Sequence, residues 1–236
     1  MLDAGLARCY NGDMEYERSE HLYTRAQGYI TTISGRDFNP MSHAPDFCIN
    51  DIAHALGMNC RFNGHCAEFY SVAEHSVLVA AMMETFREGD PFEGLMHDGT
   101  EAYLSDIPAP FKQYFPDLVR HDKQLDAKLR LAFDLPLVSS KECKKFDWLA
   151  LFIEAYWLLP GKGENFYDPY NLRYTAMCLK DEFRPVPMLP CEARAVFHDK
   201  YTKLTESRHN LPYLSELAPK HAPNPHKYCE NSGFVA

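Results

Sequence analysis

Apolar residues in this chain recur at helical spacing from residue 49 onward and follow no clear period before it. Residues 1–27 are polar and predict a loosely docked N-terminal arm. The β-prone run Tyr29-Ile30-Thr31-Thr32-Ile33 is followed by Gly35, Asn39, Pro40 and Pro45, which allows one short hairpin or an extended segment over 28–48. Ile49, Ile52, Ala53 and Leu56 then mark a helix with Asp51 in its first turn. Ser71 followed by Glu74 forms a capping-box signature that predicts a helix over 72–87. Pro91 opens a helix expected to run to Leu104. Pro108 and Pro110 interrupt the chain, and a short helix to Phe115 follows. Leu118, Leu125, Leu129 and Ala132 give 117–133 one apolar side. Ser139 or Ser140 caps a strongly apolar helix over 141–159, stopped by Pro160-Gly161. Beyond it the chain is rich in Pro, Tyr, Asn and Gly, with one further helix predicted over 191–204. The pattern predicts an all-α fold of five or six main helices. It comprises an arm (1–27), a core (28–160) and an irregular C-terminal extension packed on the core (161–236).

Composition narrows the partners. The net charge of −9 over 236 residues argues against a broad nucleic-acid surface, and no stable nucleic-acid complex is expected, while a small basic pocket for one phosphorylated ligand remains compatible. No apolar run approaches the length of a membrane span, and the N-terminus does not read as a signal peptide. The eight cysteines include no pair two or three residues apart, so free thiols in a reducing cytoplasm are expected rather than a zinc knuckle or a disulfide framework.

The candidate chemistry sits in Leu95-Met96-His97-Asp98-Gly99-Thr100-Glu101. An adjacent His–Asp pair in an apolar segment is costly to bury unless a cation compensates it. On a continuous helix Glu101 would share a face with both His97 and Asp98. The chain contains the dipeptide twice more, as His121-Asp122 and His198-Asp199, but charged neighbours there (Arg120, Lys123, Lys200) suit a solvated face. His75 lies in the first turn of an apolar helix, and Asp147 lies at the edge of the most hydrophobic helix. Together with His97 and Asp98 they supply two imidazoles and two carboxylates. This mixed nitrogen and oxygen set suits one divalent ion such as Mn2+, Co2+, Fe2+, Ni2+ or Zn2+. Mg2+ is a further option where a triphosphate brings it.

His75, His97-Asp98 and Asp147 resemble the H…HD…D signature of the HD superfamily of metal-dependent phosphohydrolases. The context matches as well. Ala73-Glu74-His75-Ser76 resembles the EHS of the first ligand helix, and the block from His97 through Glu101 to Ser105-Asp106-Ile107-Pro108-Ala109-Pro110-Phe111-Lys112 resembles the HDxxE…GDxPxPxK of the 5′-deoxynucleotidase branch. Arg61-Phe62 resembles that branch's Arg–aromatic pair. The stretches 49–56, 60–65 and 69–77 are most similar to phage-encoded members, and Ser105 stands where a glycine is usual.

The resemblance implies an HD-domain helical bundle that hydrolyses deoxynucleotides. The leading expectation is a dATP triphosphohydrolase releasing deoxyadenosine and tripolyphosphate, as in phage nucleotide-pool enzymes. The alternative is a 5′-deoxynucleotidase acting on monophosphates, and a weaker one is a non-catalytic nucleotide-binding module. His75, His97, Asp98 and Asp147 would hold the ion, and Glu101 with Asp106 would move protons. Arg61 would bind phosphate, with Lys112 and Lys144 behind it, while Phe62 and His65 are candidate substrate contacts. A homo-oligomer, dimer or hexamer, in the cytoplasm (the host's, for a phage-encoded protein) is the accompanying expectation.

Overall fold

The computed structural model describes residues 28–209, so the N-terminal arm and residues 210–236 lie outside the described residues. Strands β1 (Ile30–Thr31) and β2 (Asp37–Phe38) form a small antiparallel hairpin, with Ile30 opposite Phe38. Asp51 pins it down by accepting hydrogen bonds from the Ser34 backbone N–H (3.0 Å) and hydroxyl (2.9 Å). The rest is helical: α1 (Ile49–Met58), α2 (Val72–Phe86), α3 (Pro91–Met96), α4 (Glu101–Leu104), α5 (Ala109–Lys112), α6 (Pro116–Ala132), α7 (Lys141–Leu158), α8 (Arg173–Leu179) and α9 (Pro190–His209). The protein is an all-α bundle with a short N-terminal hairpin and an irregular C-terminal region. Among the described residues, no helix is long and apolar enough to cross a membrane.

The helices start where their caps place them. The Ser71 hydroxyl accepts from Glu74 N (3.2 Å) while the Glu74 carboxylate accepts from Ser71 N (2.7 Å), closing the capping box of α2. Asp90 caps α3 through Phe92 N, and Ser140 caps α7 through Cys143 N. Helix α8 is the element the sequence pattern missed. The Asp168 carboxylate accepts from Leu172 N and Arg173 N, both at 2.9 Å, and so launches it.

Two apolar cores result, and α2 belongs to both. Val72, Ala73 and Ala80 pack with Ile52, Leu56, Leu95, Met96, Leu129 and Phe197. Val79, Met82 and Met83 pack with Cys143, Phe146, Leu149, Phe152 and Ile153. Each such fully buried side chain contributes ~1.5–3 kcal/mol relative to exposure. A buried ion network sets α3, α6 and the start of α7 against one another. Arg130 donates to Glu93 Oε1 and Asp126 Oδ2, both at 2.9 Å, and Glu93 Oε1 also accepts from Ser140 N.

The expected helix from Pro91 to Leu104 is interrupted. Residues 97–100 form tight turns, with Gly99 N bonded to Met96 O and Glu101 N to Asp98 O, both at 2.9 Å. Gly99 is closely packed there, and an added Cβ would stand 2.9 Å from Leu129 Cδ1 and 3.0 Å from Met96 O. The His–Asp pair lies on this turn rather than inside a helix.

Ser105, at the end of α4, has φ 67° and ψ 161°. This region is essentially confined to glycine and costs about 1–3 kcal/mol for other residues. Ser105→Gly relieves that cost but adds about 0.5–1 kcal/mol of unfolded-chain entropy. The net expectation is a gain of about 1 kcal/mol, read as a rise of about 2–4 °C in melting temperature. An unchanged or lower melting temperature would show that any strain at the position is no larger than that entropy cost.

Candidate metal centre

Three segments converge. Helix α2 presents His75 from its first turn, the turn after α3 presents His97 and Asp98, and α7 presents Asp147. His75 Nε2 lies 3.2 Å from Asp147 Oδ1 and 3.6 Å from Asp98 Oδ2. His97 Nε2 lies 3.2 Å from Asp98 Oδ2 and 3.8 Å from Asp147 Oδ1. The donor atoms of His75, His97 and Asp147 all lie within 4.8 Å of one another, a set able to coordinate a metal ion.

The chemistry of this donor set fits a divalent cation. Each imidazole has its other nitrogen committed. His75 Nδ1–H donates to Glu154 Oε1 at 2.7 Å, and His97 Nδ1–H donates to Gly94 O at 2.8 Å. That fixes the tautomer that leaves Nε2 as a lone pair facing the carboxylates. Both Nε2 atoms are buried and have no hydrogen-bond partner among the described residues. Two ligands about 2.1 Å from one ion stand about 3.0 Å apart at a right angle and about 4.2 Å apart in line, and the observed spacings fall between.

The electrostatics agree. Burial pulls the His97 imidazole down, but Asp98 and Asp147 outweigh it and carry it well above its ordinary value. Burial and the Arg61 charge lower His75, yet Glu154 and Asp147 leave it raised. Burial pushes Asp98 up, but His97 and His75 hold it at about 2. Asp147 is likewise held far below the usual carboxylate range by the neighbouring His75 and His97 imidazoles, against its burial. The carboxylates around the two imidazoles thus favour positive charge at this point, as a cation site requires.

Arg61 enters beside these ligands. Its segment is paired with the start of α2, with Arg61 N donating to Tyr70 O at 2.8 Å and Val72 N to Asn59 O at 2.9 Å. The next residues turn sharply, with φ 53° at Phe62, 53° at Asn63 and 78° at Gly64. The guanidinium lies 3.2 Å from Glu154, 3.7 Å from Asp106 and 3.9 Å from Asp98, and stacks over the Phe62 ring at 5.4 Å. Burial works against its charge, but these carboxylates more than restore it. Its Nε has no partner among the described residues.

Glu101 is buried, and its Oε2 has no partner among the described residues. Burial, then Asp98 and Asp106, raises its carboxyl well above the ordinary value. Asn59 Nδ2 holds the Glu101 carbonyl at 2.7 Å. Asp106 is raised mainly by burial, with Arg61 opposing.

The remaining candidates stand further out. Lys112 pairs with Asp122 at 3.6 Å and lines a small cleft with Glu101, Leu104, Ile107 and Leu118. His65 and Lys144 are exposed. His121-Asp122 is not the solvated face its neighbours suggested. Both residues are half-buried, and Asp122 accepts from the Thr100 hydroxyl at 3.1 Å. His198-Asp199 is exposed. None of the six cysteines among the described residues is in a disulfide.

Sequence reasoning missed Glu154, which is fully buried and bonded to both His75 and Arg61. The available signal was its spacing. Glu154 lies seven residues after Asp147, two turns along the same helix face, inside a run of apolar residues.

An all-α fold with a buried His75, His97 and Asp147 cluster defines the class as a helical protein equipped to bind a metal ion. The chain is 37% identical over 181 residues to the uncharacterized protein YfdR of Escherichia coli (strain K12), covering 76% of this chain and 97% of that one. It is 36% identical over 196 residues to an uncharacterized protein of Rhodobacter capsulatus, covering 74% of this chain and 94% of that one. The chain belongs to the family of these bacterial proteins. No protein-family model matches it.

Proposed function

We propose that the protein is an HD-type metal-dependent phosphohydrolase acting on deoxynucleotides. The observation that carries this reading is the convergence of two unpartnered imidazole nitrogens and two carboxylates beside a buried guanidinium. His75, His97, Asp98 and Asp147 hold the ion, which when bound supplies Lewis-acid polarisation of a phosphoryl oxygen and lowers the pKa of a water. Arg61 orients the phosphoryl group through its fork of donors. Glu101, whose carboxyl is raised by burial, is the candidate to donate a proton to the leaving oxygen of the sugar. Asp106 faces Arg61 and sets its angle.

Two substrate lengths compete, the triphosphate of dATP and a deoxynucleoside monophosphate. The charge arrangement favours the monophosphate. Arg61 already faces three carboxylates, Lys112 is paired with Asp122, and Lys144 is exposed. Among the described residues, little positive charge close to the site is left unpaired for a long polyphosphate. Incubation of the Co2+- or Mn2+-loaded protein with dAMP and with dATP decides between them. Orthophosphate from dAMP, abolished by a chelator and restored by metal, is expected. Tripolyphosphate from dATP would establish the longer substrate, and inertness of the loaded protein toward both would refute the assignment.

A further inference from the structure

Glu154 is a carboxylate with no exposure to solvent, placed beneath the metal centre by the same helix that carries Asp147. Its two oxygens serve different residues. Oε1 accepts from His75 Nδ1–H at 2.7 Å, and Oε2 accepts from Arg61 Nη2–H at 3.2 Å. Burial, then the Glu154 charge, pushes the nearby Tyr70 phenol well above its ordinary range. Burying a carboxylate is expensive unless it is paired and hydrogen-bonded on each side, and an apolar residue in this run of α7 would spare that cost. A purely structural position gives no reason for an acid whose oxygens reach a candidate ligand and a candidate anion-binding cation at once.

We propose that Glu154 is the positioning residue that locks the metal ligand His75 and the anion-binding Arg61 into one fixed arrangement. The inference rests on the metal-centre reading above and adds a coupling between its two halves. Through Oε1 the carboxylate holds His75 with its lone pair on Nε2, and it raises the basicity of that nitrogen. Through Oε2 it fixes the guanidinium beside Asp98 and Asp106, so that Arg61 would present a bound phosphate to the ligand set in one orientation. The Phe62–Gly64 turn and the backbone pairing to Tyr70 bring Arg61 to this point, and Glu154 supplies its counter-charge.

The test reads binding rather than turnover. Full-length wild type, Glu154→Gln, Arg61→Gln and the double variant are checked for folding by circular dichroism and stripped with a chelator. Each is titrated with Co2+ alone, and the Co2+-loaded proteins are then titrated with inorganic phosphate. Glu154→Gln is expected to weaken Co2+ binding by about 10- to 100-fold, the usual range for the partner of a ligating histidine. Arg61→Gln is expected to weaken phosphate binding about tenfold while leaving Co2+ affinity within about twofold. Adding Glu154→Gln to Arg61→Gln should cost little further phosphate affinity, because the two residues act as a unit.

Wild-type affinity for both ligands in a folded Glu154→Gln protein overturns the proposal, and so do fully additive phosphate losses. Should Glu154→Gln fail to fold, the Zn2+-loaded wild type still decides. A solvent-protected His75 Nδ1–H resonance in its proton NMR spectrum supports the lock, and its absence overturns it. His75→Ala separates the two levels of the argument. Co2+ binding that survives His75→Ala removes the metal-centre reading itself, whereas Co2+ binding lost there but untouched in Glu154→Gln removes only the role of Glu154.

Discussion

Asp147→Ala is expected to abolish stoichiometric binding of a divalent ion and, with it, all metal-dependent hydrolysis. The carboxylate is the contribution of α7 to the site and stands 3.2 Å from His75 Nε2 and 3.8 Å from His97 Nε2. Its side chain is 38% exposed, so its deletion opens no cavity in either core and the protein should remain folded. His97→Ala should give the same loss by removing the nitrogen opposite Asp98. Metal content by elemental analysis, alongside circular dichroism, separates loss of the ion from loss of fold. A folded Asp147→Ala protein that retains one tightly bound ion and its activity would dismantle the site as described.

Glu101→Gln should behave differently, keeping the ion and losing the reaction. Glu101 is not one of the four ligands, and burial, then Asp98 and Asp106, raises its carboxyl well above the ordinary value. A buried carboxyl that resists ionisation suits a general acid, and such groups contribute roughly 10²- to 10⁴-fold to rate. The variant should bind Co2+ like wild type and turn over at least about a hundredfold more slowly. The acid form is the working one, so wild-type activity should fall as pH rises through the elevated pKa of Glu101. That alkaline limb should be missing from the residual activity of Glu101→Gln. Unimpaired turnover would take Glu101 out of the mechanism.

The parts of this architecture that sequence can reveal are those set by local chemistry. The Ser71–Glu74 box, the Pro–Pro interruption after Asp106 and the apolar stripe of α6 each depend on residues a few positions apart. The long helices begin and end close to where these signals put them. The gathered ligands carried a similar mark, since a His–Asp pair among apolar residues needs a reason to be there. What stayed hidden depends on distant contacts. At the break over 97–100, Gly99 packs against Leu129, thirty residues away along the chain. Helix α8 was obscured because Pro169 and the positive φ of Asn171 separate its capping Asp168 from its first turn. Asp122 looked solvated between Arg120 and Lys123, and only the fold shows Thr100 and Lys112 reaching it. Glu154 passed for an incidental charge until its two partners were seen in space.

The division of the interior into two cores gives the ligand set a second meaning. His97 and Asp98 follow Leu95 and Met96 of one core, Asp147 follows Phe146 of the other, and His75 sits on the helix they share. A cation gripped by all three is therefore a rivet as well as a reagent, closing the seam between halves that otherwise meet mainly along α2. Binding energy spent on the ion is cohesion for the whole molecule, so any change that lets the ion go more easily also slackens the middle of the protein.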